Sequence, residues 1–206
     1  MKQKQEFYAE SELRDAATRL EQERIRRCLD GHRPSQQALF EAYSSKMLGL
    51  CYRYTGGLQK AEELMQQGFV EAFSKIQLYR FQGHFQDWLS ATMLSNIVRW
   101  AKADLAFEEY PEPVLAESYF EDIETDSGLH SSDIVEMIVS LPAAYRVVLN
   151  LYSIEGKHHE EIASLLRLEE HTIRNYYTRA RMLMARLMAA KGRLHEIAIE
   201  TVTILK

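Results

Sequence analysis

The chain has 206 residues, of which 46% are hydrophobic and 27% are charged, a composition typical of a globular protein with one large domain or two small ones. Its start, MKQKQEFYAESELRD, has no apolar stretch behind the lysines, and no run reaches the ~18 apolar residues of a membrane span, so neither a signal peptide nor membrane insertion is predicted. Cys28 and Cys51 show no metal-ligand or disulfide spacing, which favours reduced thiols in a cytoplasmic protein.

The first half of the chain predicts a set of helices. Residues 1–27 carry charges of both signs with sparse apolar positions, which indicates an exposed helix or an extension, and DGHRPSQ at 30–36 breaks it. QQALFEAYSSKMLGLCYRYTG and LQKAEELMQQGFVEAFSKI then repeat apolar residues at helical spacing. The segment YRFQGHFQ predicts a loop, and DWLSATMLSNIVRWAKA predicts a third helix.

Residues 104–133 differ from the rest in composition. They contain ten acidic residues, no Lys or Arg, and the prolines Pro111 and Pro113, so an irregular acidic linker is predicted. The whole chain has a formal charge of -5; without the linker's ten negative charges the remainder is at about +5. The overall acidity therefore does not exclude a nucleic-acid partner for the flanking domains.

The second half predicts a helix-turn-helix. Two helices broken at Leu141–Pro142 lead to EEIASLLRLEEHTIRNYYTRARMLM at 160–184. In that stretch Ala163 supplies the small residue needed where two helices cross, Arg167 stands at the turn where positive φ is usual, and Ile173 returns to the core. From His171 to Arg193 there are six basic residues and no acidic one.

This pattern predicts a DNA-binding second helix. Its opening turn can meet a phosphate, and its exposed face can enter the major groove. The candidate DNA contacts are Thr172, Arg174, Asn175, Thr178, Arg179 and Arg181. The alternative is a helical hairpin whose basic face is merely solvated.

Both halves together resemble the extracytoplasmic-function sigma factors of RNA polymerase. LPAAYRVVLNLYSIEGKHHEEIASLL, followed by TIRNYYTRARMLMARL, is similar to their region four. QALFEAYSSKMLGLCYRYTG, KAEELMQQGFVEAFSKI and YRFQGHFQDWLSATMLSN are similar to their region two. The similarity covers roughly residues 28–103 and 134–190, in the family's order and on either side of a variable linker.

The resemblance implies an all-α fold with two small helical domains joined by the acidic linker. It also implies three sets of functional residues. One set would grip the clamp helices of the polymerase: Glu62, Glu63, Met65, Gln66 and Gln67. A second would bind the melted promoter element: Tyr79, Arg80, Phe81, His84 and Phe85 in the loop, then Trp88, Ser95, Asn96, Arg99, Trp100 and Lys102 on the next helix. A third would read the upstream element as duplex: Arg174, Asn175, Thr178 and Arg179.

The division of labour that the family implies makes chemical sense. Aromatic and small polar groups suit unstacked single-stranded bases, whereas a basic helix suits the major groove. The predicted parts are an extension at 1–27, a region-two-like domain at 28–103, the linker at 104–133, a region-four-like domain at 134–191 and a tail at 192–206. The tail is expected to pack on the second domain or to form a partner surface.

The function predicted from this resemblance is a sigma factor that brings core RNA polymerase to promoter DNA, with an anti-sigma factor as a further candidate partner. Ser90 and Ala91 stand where the family often has arginines, Ser95 replaces its asparagine, and Gln67 replaces an acidic residue. An alternative function is therefore a sigma-like regulator or antagonist that binds polymerase or DNA without opening promoters. No catalytic arrangement of Ser, His, Cys or carboxylate residues and no cofactor are predicted. No metal site is predicted either, since the adjacent His158 and His159 would point about 100° apart on a helix.

Overall fold

The computed structural model describes residues 18–105 and 131–204, with side chains described as far as Lys191. Within those ranges every regular element is helical, and no strand is present. The predicted all-α fold is thereby confirmed. None of the helices in the described part of the chain is both long enough and apolar enough to cross a membrane.

Eight α-helices cover most of the described ranges. Residues 18–29 form α1. The others are α2 at Arg33–Thr55, α3 at Leu58–Ser74, α4 at Phe85–Asp104, α5 at Ser131–Ser140, α6 at Ala143–Leu149, α7 at His159–Leu166 and α8 at Glu170–Ile204. A 3-10 turn at Ile76–Leu78 follows α3, and a π-helical turn at Asn150–Ile154 follows α6.

The contacts divide the chain into two compact units. The first contains the residues up to Cys51 together with Glu62–Asn96, and the second contains Tyr52–Ala61 together with the residues from Ile97 onward.

The core of the first unit is formed by one apolar face from each of α1 to α4. Gly68 lies inside α3, although glycine weakens a helix by roughly 1 kcal/mol relative to alanine. The reason is close packing: a Cβ atom at Gly68 would stand 2.0 Å from the Met93 Sδ atom of α4. The largest fully buried side chains of this unit include Ile25, Leu39, Met47, Phe85, Leu89 and Met93.

Helix α1 belongs to this core, which the sequence did not predict for residues up to 27. Ile25 and Cys28 are both buried, three residues apart on one face of α1. The predicted boundary between residues 27 and 28 therefore falls inside a packed helix. The apolar periodicity of the sequence did not reveal this buried face, because apolar residues are sparse in this segment.

In the second unit, α5, α6 and α7 pack against α8. The Arg146 side chain, only 7% exposed, donates hydrogen bonds to the carbonyl oxygens of Val139 and Leu141 at 2.6 and 3.0 Å. It also donates to the carbonyl oxygens of Tyr54 and Thr55, at 2.9 and 2.7 Å, in the same unit. One guanidinium thus satisfies four backbone acceptors at the ends of helices.

The turn between α7 and α8 has the predicted left-handed residue. Arg167 adopts φ 58° and ψ 45°, and its backbone N–H donates to the Ala163 carbonyl. The Leu168 N–H donates to the same carbonyl at 3.0 Å. A non-glycine residue therefore ends α7 in the conformation that usually favours glycine, and the predicted turn at Arg167 is confirmed.

The linker and tail are only partly within the described residues. Residues 106–130, most of the predicted linker, lie outside them, and α5 already includes Asp133. Helix α8 continues without a break to Ile204, so the predicted DNA-binding helix and the predicted tail at 192–206, as far as residue 204, are one helix. The packing expected for the tail side chains lies outside the described residues.

Candidate nucleic-acid interfaces

Helix α8 has one buried face and one polar face. Ile173, Tyr176 and Ala180 are buried at three- and four-residue steps. His171, Arg174, Asn175, Thr178 and Arg181 share the opposite face, and His171, Arg174 and Arg181 are exposed. The structure therefore brings four of the six predicted DNA contacts, Arg174, Asn175, Thr178 and Arg181, onto one face of one helix.

Two of the predicted contacts on α8 differ from the others. Thr172 is buried, and its backbone N–H donates to the Glu169 carbonyl at 3.1 Å. Arg179 donates from Nη1 to the Tyr145 hydroxyl at 3.3 Å, which directs it toward α6. Both side chains lie away from the polar face, because their positions on the helical wheel fall near the core.

Two arginines of the polar face make contacts with neighbouring side chains of α8. Arg174 donates from Nε to the Glu170 carboxylate at 2.9 Å, an exposed pair four residues apart. The Arg181 guanidinium lies over the Tyr177 ring, 5.8 Å from its centroid. Pairs of this kind contribute at most about 1 kcal/mol at the surface, so a phosphate can displace them.

An aromatic cluster connects the start of α7 to α8. Tyr152 stacks on His159 at 4.4 Å between ring centroids and contacts Tyr177 at 4.3 Å. Burial, together with the positive charge of Arg174, lowers the pKa of His159. The His159 ring is thus a structural element of the helix-turn-helix. No group of three or more His, Cys, Asp or Glu side chains that could hold a metal occurs among the described residues.

The loop predicted to bind the melted promoter element contains a second aromatic cluster. We call residues 79–85 the aromatic loop. Tyr79 lies 5.1 Å from Phe81, 5.4 Å from Phe85 and 5.7 Å from Trp88, measured between ring centroids. The hydroxyl of Tyr79 donates to the Gly83 carbonyl at 2.8 Å, which closes the loop. Burial raises the pKa of Tyr79, and the charges of Glu21 and Asp87 raise it further, so the hydroxyl stays a donor.

The members of the aromatic loop differ in accessibility. Tyr79 and Phe85 are buried and form the floor, whereas Arg80 and His84 are exposed. Phe81 is 37% exposed and has φ 56°, a left-handed conformation that is unusual for an aromatic residue. A strained, exposed aromatic side chain above a buried aromatic floor is typical of a binding site.

Helix α4 continues from the loop with a regular surface stripe. Trp88, Ser95, Arg99 and Lys102 recur at steps of seven, four and three residues, and the last three are exposed. Trp100 is half-buried on a neighbouring face. Asn96, predicted to contact DNA, is 2% exposed and lies beside Gly68 of α3, so it belongs to the core.

The predicted polymerase-binding face lies on α3. Glu62, Gln66 and Gln67 are exposed and Glu63 is half-buried, whereas Met65 is buried among the core residues of α3. Sequence reasoning missed Val70, which is 71% exposed, four residues beyond Gln66. A shallow depression of about 500 Å³ is lined by Glu63, Gln66, Gln67, Val70, Glu71 and Ser74. The sequence did offer a signal for this residue, since Val70 is an apolar side chain within a stripe of polar ones.

Comparison with protein families identifies both units of this architecture. The model described as sigma-70 region 2 matches residues 39–104, and the model described as sigma-70 region 4 matches residues 131–184. Together they cover more than half of the chain, and the pairing of these two regions defines a sigma factor.

Curated relatives point to one group of sigma factors. The chain is 28% identical over 162 residues to the ECF RNA polymerase sigma factor SigE of Mycolicibacterium smegmatis, a match covering 76% of this chain and 62% of that relative. It is 24% identical to the ECF RNA polymerase sigma factor SigW of Bacillus subtilis, covering 77% of this chain and 91% of the relative. The chain belongs to the extracytoplasmic-function sigma factors of the sigma-70 family.

Two complexes are among the solved structures that are similar to this chain. One is CnrH with the cytosolic domain of CnrY, at 15% identity and a TM-score of 0.42, covering 81% of this chain and 96% of that one. The other is the sigma factor RpoE with the anti-sigma factor NepR from Bartonella quintana, at 18% identity and a TM-score of 0.40, covering 74% of this chain and 96% of that one.

Proposed function

We propose that this protein binds core RNA polymerase and directs it to promoters, reading the upstream element with α8 and the melted element with the aromatic loop and α4. The observation that carries the proposal is the presence of both sigma-70 regions in order in one chain. The protein supplies binding and no chemistry of its own, and it acts where the polymerase is, in the cytoplasm.

The polar face of α8 supports duplex recognition. Arg174 and Arg181 carry its positive charge, and Asn175 and Thr178 lie between them at helical spacing. Arginine contacts guanine edges and phosphates, while asparagine and threonine contact base edges in the major groove. Residues of both kinds on one exposed face suit a helix lying in that groove.

The first unit supports the recognition of a single strand and the binding of polymerase. The exposed Phe81, Arg80 and His84 stand over a buried aromatic floor, an arrangement that suits stacking with an unpaired base. On α3, Val70 lies in a stripe of exposed polar residues and supplies apolar area for a partner surface. Because Met65 and Asn96 are buried, we leave them out of these surfaces.

The experiment is transcription with core polymerase and genomic DNA from the source bacterium, with and without the full-length protein. Discrete start sites that depend on the protein are expected, since promoter selection is the proposed activity. Polymerase binding with no new start sites would instead support the antagonist that the region-two departures suggested. No comparison favours that alternative.

Variants of α8 test the reading of the upstream element. Arg174→Ala is expected to weaken binding of the holoenzyme to the duplex element and to lower the salt dependence of binding by about one unit, the value for one phosphate contact. Lys191→Ala is the matched control, because it removes one positive charge from the same helix but Lys191 is paired with Asp133 and Glu136 of α5. Equal effects of the two variants would mean that general charge, and not this face, binds the duplex.

A further inference from the structure

The side chain of Arg26 on helix α1 contacts the aromatic loop. The Arg26 guanidinium lies over the Phe81 ring, with its Cζ atom 5.2 Å from the ring centroid. This contact is within the first unit. Arg26 precedes the region-two match at 39–104, so neither that match nor the sequence prediction assigns it a role.

The position of Arg26 is fixed by the packing of its helix. Ile25 and Cys28, on either side in sequence, are buried in the core of the unit. Glu21, five residues before Arg26, accepts a hydrogen bond from the Tyr43 hydroxyl, and the Tyr43 ring contacts Phe85 of the aromatic loop at 5.6 Å. Helix α1 is thus attached to the floor of the loop at one point and lies over Phe81 at another.

Two side chains contact the ring of Phe81. Its left-handed backbone conformation costs on the order of 1–2 kcal/mol, so contacts of the surrounding residues must maintain it. Tyr79 contacts the ring at 5.1 Å and donates to the Gly83 carbonyl. The guanidinium of Arg26 lies over the ring, 5.2 Å from its centroid. A base that stacks at this point therefore meets the guanidinium as well as the ring.

A guanidinium suits this place chemically. It stacks on aromatic rings on one side, accepts a base on the other, and donates hydrogen bonds to phosphate from its edge. The acidic residues of α1 are engaged elsewhere, Glu21 with Tyr43 and Glu23 with Arg27 at 2.6 Å. The cation over Phe81 faces an exposed loop that also carries Arg80 and His84.

We propose that Arg26 is a further residue of the single-stranded DNA site, forming with Phe81 a layered contact in which the guanidinium meets the captured strand directly. This inference rests on the proposed function of the aromatic loop. It gives the N-terminal helix α1 a part in promoter recognition. The opposite arrangement, in which Arg26 blocks the ring until it is displaced, predicts tighter binding when Arg26 is removed.

The test uses the full-length protein in complex with core polymerase. The probe is a labelled single-stranded oligonucleotide, selected from a random 12-mer pool by the wild-type holoenzyme. The variants are Arg26→Ala, Phe81→Gly and the double variant, because glycine removes the ring while suiting the backbone at Phe81. Arg27→Ala is the matched control: it is the next residue of the same helix and is also exposed, but its guanidinium pairs with Glu23.

The expected result for Arg26→Ala is roughly two- to fivefold weaker binding of the probe, from loss of the guanidinium contact with the captured strand. The salt dependence should fall by about 0.7 unit, the value for one phosphate contact to a single strand. Arg27→Ala should do neither. The double variant should bind the probe more tightly than the sum of the two single losses predicts, because the contact that each residue makes with the strand depends on the other residue.

Unchanged or tighter binding by Arg26→Ala, an equal loss in Arg27→Ala, or strictly additive losses with Phe81→Gly would each overturn the proposal. Its failure is separable from failure of the proposed function. If no oligonucleotide is enriched by the wild-type holoenzyme and no promoter is opened, the sigma activity itself is wrong. If the wild type selects a probe and Arg26→Ala binds it equally well, only the role of Arg26 is wrong.

Discussion

Replacing Arg167 by glycine tests the helix-turn-helix at its least usual residue. Arg167 ends α7 at φ 58° and ψ 45°, where an L side chain costs roughly 1–2 kcal/mol. Glycine removes that strain but adds about 0.5–1 kcal/mol of conformational entropy to the unfolded chain. The Arg167 side chain is exposed, so little packing is lost. The free energy of unfolding is therefore expected to stay equal or to rise by up to about 1.5 kcal/mol.

A paired variant separates the backbone effect from the loss of the side chain. Arg167→Ala also removes the arginine but retains the left-handed strain, so Arg167→Gly should be the more stable of the two by up to about 1.5 kcal/mol. Urea denaturation followed by circular dichroism measures the difference, and hydrogen exchange of the Arg167 and Leu168 amides, which bond to Ala163, localises it. An alanine variant more stable than the glycine variant would refute the argument from strain.

Three further predictions concern the buried Arg146 and Cys51 and the half-buried His159. Arg146→Met should lower the free energy of unfolding by about 3 kcal/mol or more, because the carbonyl oxygens it serves lose a charged donor; urea denaturation measures this. Because burial lowers the pKa of His159 below its usual 6.5, the unfolded chain binds the proton more readily, and stability should fall as the pH drops below about 6.5. In His159→Phe, which keeps the stacking with Tyr152, thermal melts between pH 5 and 7 should show less of this dependence. Burial raises the pKa of Cys51 to about 12, so iodoacetamide at pH 8 should alkylate Cys51 only after unfolding, as mass spectrometry would show.

Sequence patterns predicted the helices and the turn because these depend on local residue order. The apolar periodicity of α2 and α3, the break at Leu141–Pro142 and the spacing from Ala163 through Arg167 to Ile173 each act within a few residues. The same reasoning placed Arg174, Asn175 and Thr178 on the groove side of α8, and the structure has them on one polar face. It grouped Arg179 with Arg181, whereas in the structure Arg181 shares the polar face and Arg179 contacts Tyr145. These features follow from the geometry of a single helix and its ends.

Tertiary structure decided which polar residues are accessible and which elements share a site. Asn96 and Met65 were predicted at the surface, but the close approach of α3 and α4 at Gly68 and the core face of α3 bury them. Arg26 carried no local signal, because its role depends on a contact with Phe81, 55 residues later. Periodicity reports how a helix is oriented to an apolar core, but it does not report which side chain of another helix covers it. By itself, therefore, the sequence determined an all-helical sigma-like architecture with a basic reading helix. Only the packing of α1 against the aromatic loop decided that the N-terminal helix stands over Phe81.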